Sequence, residues 1–167
     1  MIQKKVLWIA LTVTVPIAFA LIALSAAEED IAGTYKLVSD TRKVLDTGEV
    51  SYPYGKHPAG YIMYGKDGRM LVLVLGDDRP RPASVEKATS EQQAALFRSM
   101  LAYGGTYKYD GKRVEHHIDL SWNELWTGTT AIRDVRKEGD KLIYTTAPLS
   151  RDGKMSVAAT LIWEKVK

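Results

Sequence analysis

The chain has 167 residues, the length of one domain, with hydrophobic residues at 46% and charged residues at 26%, an ordinary globular balance. It carries no cysteine, which excludes disulfides, thiolate metal sites, a cysteine nucleophile and a lipid-modified N-terminal cysteine. The formal charge is +3, but from residue 28 onward 21 Lys+Arg face 20 Asp+Glu with no basic run able to track a phosphate backbone, so no nucleic-acid partner is expected.

Residues 1–27 read as a targeting segment. Lys4 and Lys5 precede a run without charge from Val6 to Leu24, and Ser25-Ala26-Ala27 then puts small residues at the −3 and −1 positions of a cleavage after Ala27. That order is the secretory signal pattern. Cleavage after Ser25, using Ala23, fits nearly as well. The same run, as helix, spans about 28 Å, close to a hydrocarbon core of ~30 Å, so an uncleaved membrane anchor is the alternative, and a buried core helix a third. Pro16 interrupts the run and the small-residue site favours cleavage. Both leading readings put the domain of residues 28–167 outside the cytoplasm, periplasmic or secreted. Membrane contact is expected only through residues 6–24, if they are retained.

The rest patterns as strands around one helix. Gly33–Ser39 is short, β-branched and aromatic, a strand. Asp46-Thr47-Gly48 is a turn, and Tyr52-Pro53-Tyr54-Gly55 with His57-Pro58 a stiff aromatic loop. Tyr61–Tyr64 and Met70–Leu75 flank Lys66-Asp67-Gly68, a hairpin signal. Leu71–Leu75 is apolar on both alternations and reads as a strand covered on both faces. Gly76–Pro82 breaks the sheet. A helix follows, capped by Thr89 or Ser90 with Gln92 or Gln93 three residues on; its stripe is Ala94, Leu96, Phe97, Met100 and Leu101, and Gly104-Gly105 stops it. Strands resume at Gly105–Tyr109, Arg113–Leu120, Gly128–Arg136, Lys141–Ala147 and Met155–Val166, with Asp110-Gly111, Glu138-Gly139-Asp140 and Asp152-Gly153 as turns. Eight closely spaced strands form a barrel or sandwich, and an eight-stranded barrel can hold one small ligand.

Gly33-Thr34-Tyr35-Lys36-Leu37 resembles the Gly-x-Trp opening strand of lipocalins, with tyrosine for tryptophan. More specifically, the segments GTYKLVS, YPYGKHPAGYIMY, KDGRM, DRPRPAS, YGGTYKYDG, VEHHIDLSWNELWTGT and LIWEKV, in that order from Gly33 to Val166, resemble the bacterial and fungal lipocalin-like domain family. The resemblance implies an all-β fold: an antiparallel, up-and-down, eight-stranded calycin-type barrel with one inserted helix. It brings no settled activity, and fold alone supplies none.

His116-His117 comes first among residues that could carry chemistry. Alternation puts Val114, His116, Ile118 and Leu120 on an apolar face, and Arg113, Glu115, His117 and Asp119 on a solvated one. Adjacent strand histidines point to opposite faces and cannot readily share a metal, and only His57 is left as a further imidazole. His116 then reads as a core histidine bonded to a buried tyrosine or carbonyl, or as a polar group that orients a ligand. Tyr103, Tyr107 and Tyr109 share one strand face, while Tyr52, Tyr54, Tyr61 and Tyr64 gather around the first loop. They are barrel packing or an aromatic pocket lining, to which Trp122 and Trp126 add. Arg79 and Arg81 sit between prolines, as solvated loop or as a carboxylate grip. Arg133, among Thr129, Ala131 and Val135, needs a partner: it packs over Tyr35 or Trp163 to close the barrel, or it anchors an acidic ligand.

No nucleophile elbow, phosphate loop or paired acidic site occurs; no cofactor or metal is expected. The leading reading is an exported barrel that binds a small hydrophobic or aromatic molecule, with Tyr52, Tyr54, Arg79, Tyr107, His116, Trp122, Trp126 and Arg133 as candidate ligand contacts. An isomerase or cyclase that uses His116 or a tyrosine to move a proton is the alternative. A structural or interaction module with a closed lumen is the third. An open lumen of a few hundred Å3, the usual pocket scale, separates the first from the third. Oligomeric state is not set by the sequence.

Overall fold

The computed structural model describes residues 30–151 and 155–167; residues 1–27, expected from the sequence to be a targeting segment, lie outside them. Ten strands form one antiparallel sheet: β1 (Gly33–Val44), β2 (Val50–Ser51), β3 (Ala59–Tyr64), β4 (Arg69–Leu75), β5 (Met100–Tyr109), β6 (Arg113–Ser121), β7 (Thr130–Glu138), β8 (Lys141–Thr145), β9 (Leu149–Arg151) and β10 (Met155–Lys165). Eight of them, β1-β3-β4-β5-β6-β7-β8-β10, are consecutive neighbours, and β10 pairs back onto β1 to close the barrel. The short β2 and β9 extend the ends of β1 and β10. The up-and-down eight-stranded barrel expected from the sequence is the observed fold.

The hairpin turns have local causes. Asp67 accepts the Arg69 amide at 3.0 Å, and Gly68 takes φ +81°, a region open to glycine. Strict alternation follows in β3 and β4: Ile62, Tyr64, Met70, Val72 and Val74 are buried inside. The outer face of β4 is not covered as expected. Leu71 and Leu73 are 43% and 39% exposed, because no described element packs on that wall.

Two β-bulges re-aim side chains. The β1–β10 register slips between Leu37 and Ser39: before the slip Tyr35 and Leu37 point inward, and beyond it Asp40 is buried where unbroken alternation would have put Ser39. The β5–β6 ladder pairs Gly104 with Leu120 and Gly105 with Ile118, which leaves Asp119 as the extra residue. Val114, His116 and Ile118 are buried as alternation predicts, but Leu120 turns out and is 56% exposed. Gly105 is required here: a Cβ would lie 1.9 Å from the His117 carbonyl oxygen.

The single helix α1 (Ser90–Arg98) starts at Thr89 with the expected capping box to Gln92. It stops well before Gly104. Met100 and Leu101 belong to β5, paired with Leu75 and Val74. The Arg79 guanidinium takes the helix-terminal carbonyls of Leu96 and Ser99 at 3.0 and 2.9 Å, which satisfies groups a further turn would have used.

The two barrel ends differ. Short turns at 65–68, 110–112 and 139–140 close one end, where Tyr35 lies below Lys165, its Nζ 5.8 Å from the ring centre. Long segments at the other end, with α1 and a 3₁₀ turn at Glu124–Trp126, surround the mouth.

Candidate ligand site

The lumen is filled from the closed end by stacked tyrosines. Tyr64 packs on Tyr107 at 4.6 Å between ring centres and on Tyr35 at 6.4 Å. Above them lies a buried polar network. The Tyr64 hydroxyl is 2.7 Å from His116 Nε2 and 2.9 Å from the Tyr144 hydroxyl, and the Tyr103 hydroxyl is 2.8 Å from His116 Nδ1. Desolvation, with a smaller push from the Arg133 charge, lowers the His116 pKa to about 3. The ring is therefore neutral at neutral pH. One ring nitrogen donates its proton to a tyrosine oxygen, and the other accepts a tyrosine O–H. Burial also raises the pKa of Tyr64, Tyr103 and Tyr144, so all three stay protonated. Both ring nitrogens are thus occupied, and a substrate would have to displace a tyrosine hydroxyl to reach either.

Between this network and the mouth is a small cavity of about 60 Å3. Its apolar wall includes Ile62, Val72, Val74, Leu101 and Trp126; its polar wall holds Asp40, Arg42, Arg133, Tyr103, Tyr144 and His116. Asp40 is 1% exposed and ion-paired with Arg42, two residues along β1. Burial raises its pKa, against the pull of Arg42 first and Arg133 second. Trp163, 1% exposed, also lines the cavity, and its indole N–H has no acceptor among the described residues.

The cavity meets a split in the wall. β7 pairs with β8 only from Asp134 to Glu138, while Thr130–Arg133 pair with β6 alone. Thr146 turns instead to β10, where its amide donates to Ala159. An open groove of about 490 Å3 occupies the split, lined by Thr129–Arg133, Thr146, Ala147, Ile118 and Trp126. Trp126, Arg133 and Thr146 line both spaces. The lumen is therefore neither the open well of a few hundred Å3 nor packed shut: a small inner cavity adjoins a larger outer groove.

The candidate residues fall in different places. His116, Trp126 and Arg133 meet around the cavity. Tyr54 packs against the core and feels the charges of Asp40 and Arg42, which marks it as a neighbour of that pair. Trp122 stands edge-on to Trp126 at 5.0 Å and joins it to Phe97 of α1. Tyr107 lies deeper, below the network, with its hydroxyl on the Gly65 carbonyl. Tyr52 is 45% exposed, and Tyr61, from the same cluster, points outward at 50%. Arg79 is committed to the helix end. Arg133 does not close the barrel over Tyr35; Lys165 has that place.

Asp40 and Arg42 were not singled out from the sequence, and Trp163 was named there only as a packing partner of Arg133. Oppositely charged residues two apart on one strand were the available signal, but the bulge at Val38 decides that they face inward. Among the described residues no cluster of His, Asp and Glu could hold a metal ion.

Residues 32–166 match the lipocalin-like domain family. The chain belongs to that family. No curated protein matches it. In this lipocalin-like domain Tyr35, at the position of the Gly-x-Trp tryptophan, is buried at the closed end with Lys165 over its ring.

Proposed function

We propose that this lipocalin-like domain is an extracytoplasmic protein that binds one small, largely apolar molecule through the split between β7 and β8. The observation that carries this reading is the cavity beside the His116 network, continuous in its lining with the groove at the β7–β8 split. The groove's volume lies within the ~300–1,000 Å3 scale of small-molecule sites. Trp126, Ile118, Ala131 and Ile132 give it an apolar surface, and Tyr103, Tyr144 and Arg133 give the inner wall a few fixed polar groups. That combination is the usual chemistry of such sites. The export reading rests on residues 1–27.

The test is native mass spectrometry of the protein purified from the compartment in which it accumulates. The expected result is a mass excess of one small molecule, released on denaturation and absent when Ala131→Trp fills the groove. A protein that carries no ligand and binds none from a panel of small apolar compounds overturns the proposal.

A further inference from the structure

Charge in the lumen is unbalanced. Asp40 and Arg42 form a pair and cancel. His116 is neutral because it is buried. Arg133 remains. Among the described residues it forms no ion pair, and its one hydrogen bond goes from a guanidinium nitrogen to the carbonyl of its own neighbour Ile132, at 2.9 Å. Yet its charge bears on Asp40, Tyr64, Tyr103 and His116, so it sits over the polar floor of the lumen rather than out in solvent. A guanidinium carries five donors in a planar fork that fits a carboxylate. Here that fork has one backbone contact and faces both the inner cavity and the outer groove.

A second buried donor in the same wall lacks an acceptor, the indole N–H of Trp163, 1% exposed. Buried donors are nearly always paired in folded proteins. The two together describe a site that supplies donors and one uncompensated positive charge. The inner space of about 60 Å3 admits a head group and little more. The groove of about 490 Å3 is bordered by Ile118, Trp126 and Ala131, and takes an apolar body.

We infer that the ligand is a monoanionic amphiphile, a carboxylate with an apolar body, whose head is held by Arg133 in the inner cavity and whose body lies in the groove at the β7–β8 split. This rests on the small-molecule reading above and adds its charge and orientation. An alcohol of the same body would leave the guanidinium without a counter-charge, and an ammonium would be repelled. A hydrogen-bonded charge pair in a partly desolvated site is worth enough to separate acid from alcohol by at least about tenfold.

The experiment is displacement of the neutral dye N-phenyl-1-naphthylamine by decanoate, decanol and decylammonium, on the full mature protein and on Arg133→Gln and Arg133→Lys. The expected order is decanoate tightest by at least about tenfold, decylammonium weakest. Arg133→Gln should remove the preference for decanoate over decanol, read as the ratio of the two affinities, and Arg133→Lys, which keeps the charge, should retain part of it. Equal binding of decanoate and decanol to the unaltered protein overturns the anion inference and leaves small-molecule binding standing. A decanoate preference that survives Arg133→Gln overturns the assignment to Arg133. Failure of the dye and all three competitors to bind overturns the small-molecule reading itself. Thermal unfolding of both variants shows whether they are folded; if Arg133→Gln is not, the three-ligand order on the unaltered protein and on Arg133→Lys decides.

Discussion

Removing His116 tests the polar floor of the barrel. In His116→Ala, Tyr103 loses its hydroxyl's partner at 2.8 Å, whereas the Tyr64 hydroxyl keeps Tyr144 at 2.9 Å. One orphaned buried hydroxyl costs about 1–3 kcal/mol. Truncating a large core side chain adds a cavity term, about 2–5 kcal/mol for aliphatic cases. Partial refilling by water from the adjoining cavity reduces the total, so a loss of ~4 kcal/mol is expected. His117 is exposed, and among the described residues its ring has one hydrogen-bond partner, the Thr130 hydroxyl at 3.3 Å, so His117→Ala should change stability by less than ~0.5 kcal/mol. Urea unfolding of the two variants gives both numbers. A pH series adds an independent check. The folded His116 pKa is about 3 against 6.5 for an ordinary histidine. Between those values the unfolded chain binds the extra proton, so stability is full above pH 6.5 and falls as pH drops toward 3, by up to ~1.4 kcal/mol per unit. Comparison with His116→Gln isolates this slope from that of the carboxylates. A full slope between pH 4 and 6.5 in His116→Gln, or His117→Ala as the costly variant, would remove His116 from the buried floor; the latter would mean a one-residue slip of β6.

Three further outcomes are expected. Arg79→Ala should lower stability by about 1–2 kcal/mol in urea unfolding, through the helix-end carbonyls it leaves, without changing dye affinity. Gly105→Ala, whose new methyl meets the His117 carbonyl, should lower stability by about 3 kcal/mol or prevent folding, read by the same unfolding curves or by loss of strand circular dichroism. N-terminal sequencing of the natural protein should begin at or near Glu28; a chain that begins at Met1 in the membrane fraction would support the anchor instead.

Much of the barrel could be read from the sequence because its signals are local. Asp67-Gly68, Asp110-Gly111 and Gly139 mark turns by backbone preference, and the even-numbered residues Val114, His116 and Ile118 mark an inner face by period. What escaped is what depends on register. The extra residues Val38 and Asp119 exchange faces midway along a strand, so Asp40 and Arg42 turn inward and Leu120 turns outward. Helix length was overread because Met100 and Leu101 satisfy a helical stripe and a strand alike; the pairing with β4 decides. The site residues were legible where the inner face was, at His116 and Arg133, and Trp126 was legible as an aromatic. Arg79 was misleading because a loop arginine does not announce which carbonyls it caps. Leu71 and Leu73 misled in the other direction, as apolar residues left on an exposed wall.

One small, largely apolar molecule is proposed to enter through the split between β7 and the Thr146-Ala147 segment. The most direct measurement is a titration with N-phenyl-1-naphthylamine on the unaltered protein, on Ala131→Trp, which fills the groove, and on Leu71→Gln, which alters the exposed outer wall. The expected result is saturable one-site binding that Ala131→Trp abolishes at unchanged thermal stability and that Leu71→Gln leaves intact. Binding that survives Ala131→Trp but is lost in Leu71→Gln would place the dye on the outer wall and contradict the claim, as would the absence of saturable binding.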